Sequence, residues 1–125
     1  VVTEFAPGGQ RRPDMTTTRH APQHTLKAYG IAVKLVIAVR DARVSDAHLR
    51  DQAMRAAKST ALNCAEGAGR VTRADKARAY AVARGECLEA CAAIEIASLC
   101  GATSGARYDA VAEIALYSMR TALVR

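Results

Sequence analysis

The sequence predicts an all-α protein folded as an antiparallel up-down-up-down four-helix bundle. Three observations predict it. Half of the 125 residues are apolar, yet aromatics make up only 4% and Trp is absent. Alanine supplies much of the apolar content, and it is the strongest helix former and the smallest core filler. Such a composition suits helices that pack closely and suits a thick β-sandwich core poorly. Apolar residues also recur at helical spacing along four stretches separated by short turn signals. No β-hairpin signal and no repeat of solenoid length interrupts them. The length is enough for one domain and too short for two ordinary ones, and four helices joined by short turns pack most simply as an antiparallel bundle.

Residues 1–22 read as a flexible leader and residues 23–125 as the bundle domain. The leader holds Pro7-Gly8-Gly9, Arg11-Arg12-Pro13 and Thr16-Thr17-Thr18 and has little apolar periodicity. The chain begins with Val, and Met15 reads as a native start, with the residues before it additional. The first helix is expected from Thr25, as N-cap, to about Arg43. Leu26, Tyr29, Val33, Val36 and Ile37 form one apolar stripe; Ile31, Leu35 and Ala38 form another. A helix apolar on two sides wants two partners, which points to a subunit interface beside the internal core.

The second helix is expected over Asp46–Glu66, with Ser45 as N-cap and Gly67 as the C-terminal stop. Its apolar side is small: Leu49, Ala53, Ala56, Ala57, Ala61, Cys64 and Ala65. A polar stripe of Gln52, Arg55, Ser59, Asn63 and Glu66 follows one face at spacings of three and four. Ser and Asn are weak helix formers, so this stripe reads as a partly buried polar seam. Glu66 sits where the helix dipole disfavours an anion and needs a cation. Arg55, Arg70 and Arg84 are the candidates, and a clear loss of melting temperature is expected for Glu66→Ala.

The third helix is expected over Arg73–Leu99. Thr72 is its N-cap and Asp75 lies three residues on, a variant of the capping box. Tyr80, Ala83, Cys87, Cys91 and Ile94 mark its inner face. Gly85 within it costs about 1 kcal/mol relative to Ala, which suggests close approach of another helix backbone. Gly101, Ser104 and Gly105 make the next turn. The fourth helix is expected from Ala106 to about Leu123. Val111, Ile114, Ala115, Met119 and Ala122 serve its core, while Leu116, Tyr117 and Leu123 broaden the apolar surface.

The four cysteines lack zinc-type and secreted-type spacing. Cys64, Cys87, Cys91 and Cys100 read as reduced, buried thiols of a cytoplasmic protein. A redox or metal role for the Cys87/Cys91 pair is the lesser reading. No secretory signal and no apolar run of membrane-spanning length is present, so no membrane partner is expected.

The run Gln52-x-x-Arg55-Ala56-Ala57-x-Ser59-x-x-Leu62-Asn63-x-Ala65-Glu66-Gly67-x-Gly69-Arg70 resembles the signature of the four-helix bundle family of 23S rRNA intervening-sequence proteins. Tyr80-x-x-Ala83-Arg84-Gly85 and Glu89 continue the pattern. The resemblance covers roughly His24 to Arg125. It implies an antiparallel four-helix bundle with a tendency to form five-membered rings. A related branch serves as the accessory protein of diversity-generating retroelements, where a basic pentamer engages a reverse transcriptase and nucleic acid. The family usually has Ser directly after Ala-Arg-Gly; here it is Glu86. Helix 3 is also richer in Ala and Cys than the commoner Leu-rich versions.

Nothing in the sequence names a reaction, and no enzyme is expected. His20 and His24 lie in or near the leader, and no Cys stands at hydrogen-bonding spacing from His48. The Glu-x-x-His pairs of di-metal bundles are absent. Gly67-Ala68-Gly69-Arg70 reads as an interhelical turn and not as a phosphate loop. No cofactor and no metal is expected. The net charge of +6 allows a nucleic-acid partner, RNA or DNA, through sequence-independent electrostatics.

Lys58, Arg70, Arg73, Lys76 and Arg78 are the nucleic-acid candidates, clustered at the end between helices 2 and 3, with Arg107 expected near them. Gln52, Arg55, Ser59, Asn63, Glu66, Arg84 and Glu89 are the candidates for a structural polar network. The functional expectation is a homo-oligomer, a pentamer, acting as a basic scaffold. An accessory subunit for a reverse transcriptase and a purely structural oligomer are the alternatives.

Overall fold

The computed structural model describes residues 26–123, the side chain of Ala122 excepted. The leader, Met15, His20, His24 and the N-cap position assigned to Thr25 lie outside them. Four α-helices follow in order: α1 Lys27–Asp41, α2 Ala47–Gly69, α3 Arg73–Leu99 and α4 Gly105–Tyr117. A π-helical turn, Ser118–Ala122, ends the last helix. No strand is present among the described residues.

Two turns meet at one end of the bundle. The Ser45 amide donates to the Ala102 carbonyl at 3.0 Å, and the Thr103 hydroxyl donates to the Ala42 carbonyl at 2.5 Å. The α1–α2 and α3–α4 connections are therefore neighbours, and the α2–α3 connection lies at the opposite end. That arrangement is the antiparallel up-down-up-down bundle.

The capping chemistry explains the observed boundaries. Asp46, not Ser45, caps α2: its carboxylate accepts from the Leu49 amide at 3.0 Å. Ser45 is used instead in the link to Ala102. Thr72 caps α3 through the Asp75 amide at 3.1 Å, and Ser104 caps α4 through the Arg107 amide at 3.1 Å. Gly101 takes φ +79 after α3, a conformation glycine adopts without a Cβ penalty.

The core is built mainly from α2 against α3, the most extensive pairing in the bundle. Ala53, Ala56, Ala57, Ala61 and Cys64 of α2 and Ala83, Cys87, Ala90, Ala93, Ile94 and Ala97 of α3 are buried. Thr60 is buried among them and donates its hydroxyl to the Ala56 carbonyl at 2.8 Å. The α1 stripe that faces inward is Ile31, Leu35 and Val39. Val33 is half-buried, and Ile37 is 42% exposed on the other side.

Three expectations need correction. Gly67 does not stop α2, which runs on to Gly69. Gly67 is buried, and the Tyr80 ring lies against it. A Cβ at Gly67 would meet Tyr80 Cε1 at 2.5 Å. Gly85, by contrast, has nothing within 4 Å of its Cβ position among the described residues, so the close approach of another helix expected there is not found among them. The fourth helix also does not stay α-helical to Leu123. The Leu123 amide donates to the Ser118 carbonyl at 2.8 Å, five residues back. This widened turn brings Leu123 onto the core face, where it is buried; regular α spacing would rotate it outward.

Gly67→Ala is expected to destabilise the protein by about 1–2 kcal/mol through overpacking against Tyr80, despite a helix-propensity gain of about 1 kcal/mol. In a Tyr80→Ala background the same change should become neutral or stabilising. Urea unfolding of the four proteins measures the coupling; equal effects in both backgrounds would rule out the ring as the cause.

Candidate functional site

A polar groove runs along the outside of the α2–α3 hairpin and ends in a charged corner. Its register is set at one end by Gln52, whose amide donates to the Glu89 carboxylate at 3.4 Å. At the other end Asn63 and Glu66 line a pocket of ≈ 200 Å³ with Arg70, Asp75, Arg78, Ala79 and Val82. The same antiparallel register carries Arg55 to the level of Glu86. Between the ends, the Asn63 amide donates to the Ser59 carbonyl at 2.8 Å and to the Ser59 hydroxyl at 3.1 Å. Those two bonds occupy the short polar side chains inside α2, which explains their tolerance there. A second, shallow groove of ≈ 580 Å³ crosses the outer face of α2 along Asp51, Met54, Arg55, Lys58, Ser59, Leu62 and Asn63.

The structural-network candidates divide. Gln52, Ser59 and Asn63 are half-buried in the groove, while Arg55, Glu66 and Glu89 are exposed along it. Glu66 pairs with Arg70, not with Arg55 or Arg84. Arg84 lies on another side of α3 and donates to the Leu123 carbonyl at 3.2 Å. It therefore anchors the π-helical turn.

The cation candidates divide too. Arg70 is held by Glu66. Arg78 pairs with Asp75 at 2.9 Å. The Arg78 guanidinium first, and the Thr72 hydroxyl next, hold the Asp75 carboxyl below the usual carboxylate range. The Lys76 ammonium donates to the Gly67 and Ala68 carbonyls at 3.3 and 3.4 Å. It thus reaches the Ala68 carbonyl, which the end of α2 leaves open, and adds a second donor to the Gly67 carbonyl, which already accepts from the Arg70 amide at 3.2 Å. Arg73 is exposed at the corner and makes no ion pair among the described residues. Lys58 stands on the outer face of α2, several turns from the corner. Arg107 opens α4 at the opposite end of the bundle, away from the cluster expected to include it.

Sequence reasoning missed the roles of Lys76 and Thr60. Lys76 lies nine residues beyond the carbonyl it reaches, and only the turn geometry brings the two together.

The thiols have no ligand geometry. Among the described residues, no three His, Cys, Asp or Glu side chains stand together to hold a metal. Cys64 and Cys87 are buried, Cys91 is half-buried, and Cys100 is exposed, contrary to the expectation of four buried thiols. Burial pushes the Cys64 and Cys87 thiols up to about 11. Burial also raises Cys91, which shares a hydrogen bond with Tyr108. No helix among the described residues is long and apolar enough to cross a membrane.

The fold and groove define a small all-α bundle of four antiparallel helices with a polar seam on its longest hairpin. The chain matches the family described as 23S rRNA-intervening sequence protein over residues 24–118, and it belongs to that family. No curated protein matches it.

Two sets of measurements test this chemistry. Glu66→Ala is expected to cost no more than about 1 kcal/mol, because the Glu66–Arg70 pair is half-exposed. Lys76→Met should cost about 0.5–1 kcal/mol by removing the donor to the Ala68 carbonyl and the second donor to the Gly67 carbonyl. Arg73→Ala should leave the unfolding midpoint in place, and a loss equal to that of Lys76→Met would remove the distinction between them.

The thiols should separate by reactivity. At pH 8 a thiol reagent should label Cys100 fast, Cys91 slowly, and Cys64 and Cys87 only in denaturant. Raised native thiol values favour the folded state below the unfolded Cys value. That contribution should be lost as pH rises from about 9 toward 11.

Proposed function

We propose that the protein is a non-enzymatic, homo-oligomeric scaffold, pentameric when assembled and cytoplasmic. It contacts nucleic acid, RNA first, through the α2–α3 end of the bundle. The observation that carries this reading is the division of charge along the bundle. On the half nearer the α2–α3 turn stand Lys27, Lys58, Arg70, Arg73, Lys76, Arg78, Arg84 and Arg120, against Glu66 and Asp75. On the other half stand Lys34, Arg40, Arg43, Arg50, Arg55 and Arg107, against Asp41, Asp46, Asp51, Glu86, Glu89, Glu95, Asp109 and Glu113. Eight cations against two anions make one end strongly basic; six against eight leave the other slightly acidic.

Charge alone supports phosphate contact, which is salt-dependent and weakly selective for sequence. The described aromatic residues give no row on which bases could stack. In a ring the same end is repeated in every subunit, and weak patches act together through effective concentration. Exposed Leu88, Ile96 and Leu99 on α3 support assembly, since a long run of exposed apolar side chains on one helix marks an interface.

A second reading is an accessory subunit beside a reverse transcriptase. The acidic excess of the far end favours it, because that end repels phosphate and is left for a protein.

Fluorescence anisotropy with a structured RNA and a DNA hairpin, from low to raised salt, tests the main reading. Binding should weaken steeply with salt, and Arg73→Glu should weaken it about tenfold or more in the assembled protein. Arg107→Glu, at the far end, should leave it within about twofold. Absence of binding at low salt, or equal losses from the two substitutions, would refute contact through this end.

A further inference from the structure

The outer faces of α2 and α3 match each other in spacing and oppose each other in charge. On α3, Leu88, Ala92, Glu95 and Leu99 follow at steps of four, three and four residues and point away from the core. Leu88 is 51% exposed and Leu99 80%. On α2, Arg55, Lys58 and Leu62 continue from Asp51 at the same steps, and Leu62 is 67% exposed. Each stripe is about 17 Å long. Neither Arg55 nor Lys58 makes an ion pair among the described residues, and neither does Glu95. Asp51 is engaged by Arg50 at 3.8 Å, so the free charge on the α2 stripe is positive and that on the α3 stripe negative.

We propose that the outer stripe of α3 docks on the outer stripe of α2 in a second copy of this chain, head to tail. Such docking presupposes the homo-oligomeric assembly proposed above and names the two surfaces that make it. Aligned in opposite directions, the stripes set Arg55 against Glu95 and Leu62 against Leu88. Aligned in the same direction, they set Lys58 against Glu95 and Leu62 against Leu99. Either way one ion pair and one leucine pair form, and Ala92 leaves room for the long stem of a neighbouring cation.

The two stripes are unlike, so each copy offers one face and accepts the other. A contact of this kind builds a closed ring when the two faces diverge and a straight fibre when they stand back to back. Because α2 and α3 pack side by side in the bundle, their outward faces diverge, which favours closure. Lys58 then serves the subunit interface, and the other cations of its half are left for the nucleic-acid end.

Sedimentation velocity of the full chain, at moderate salt and without nucleic acid, tests this. The wild type should sediment as an oligomer. Arg55→Glu with Lys58→Glu in one protein, and Glu95→Lys in another, should each weaken self-association about tenfold or more, with the helical circular dichroism retained. A single protein carrying all three reversals should recover the oligomer, because every reversed face then meets its complement in a ring of any size. Leu62→Gln repeats the test without reversing charge and should also shift the mass downward.

A monomeric wild type would overturn the homo-oligomer itself. An oligomeric wild type whose mass none of these substitutions changes would overturn only the assigned faces. Loss with Glu95→Lys alone would point to a self-matching α3 contact and overturn the head-to-tail pairing, as would failure of the protein with all three reversals to recover.

Discussion

The close approach of α2 to α3 is the constraint on which the rest of the bundle depends. Their facing surfaces are almost entirely Ala and Cys, with Thr60 and Gly67 among them. Small side chains let two backbones approach and interdigitate, but each buries little area. Stability from such a contact must therefore come from length. The two helices run for 23 and 27 residues, whereas α1 and α4 run for 15 and 13. Of the larger buried side chains, Leu35, Val39 and Val111 come from the short helices and fill the space that the hairpin leaves, while α3 supplies Ile94.

Because the α1–α2 turn is tied to the α3–α4 turn, α2 outruns α1 at the other end by about 12 Å. That end of the hairpin must hold itself together. Tyr80 covers Gly67, Lys76 caps the last carbonyls of α2, and Glu66–Arg70 and Asp75–Arg78 compensate charge on each helix. The basic character of this end is thus partly structural. Three of the four cations at the corner, Arg70, Lys76 and Arg78, already have partners within the hairpin, and Arg73 is the one left facing solvent with its charge unpaired among the described residues. A ligand drawn there would feel the summed field more than a preformed cradle.

Much of this was legible in the sequence, because helix length and face are local properties. The bounds of α3, the Thr72 cap, and the inner faces of α2 and α3 follow from periodicity and capping chemistry, and the Glu66 charge problem correctly pointed to Arg70 among its candidates. Reading failed where one helix determines the meaning of a residue on another. Gly67 looked like a stop signal because the tyrosine that requires it lies thirteen positions on. Arg107 looked adjacent to the basic cluster only while the direction of α4 was left out of account. The π-helical turn has no local signature; it follows from the need to bring Leu123 onto the core and its carbonyl to Arg84. Ser45 and Asp46 are both good caps, and the tie to Ala102 decided between them.

One helix keeps small residues on two sides, and internal packing accounts for only one. The inner side of α3 is small because α2 lies against it. Its outer side is small as well, through Ala74, Ala77, Ala81, Gly85 and Ala92, and leucines follow toward the C-terminal end. Surface helices usually carry Lys, Glu, Gln or Arg at such positions, which favour helix and solubility together. Gly85 is the sharpest case, because it weakens the helix and nothing among the described residues stands near its Cβ position. A covering surface that needs close approach would explain the small residues, the exposed leucines and the lone glutamate together. A solvated face would explain none of the three.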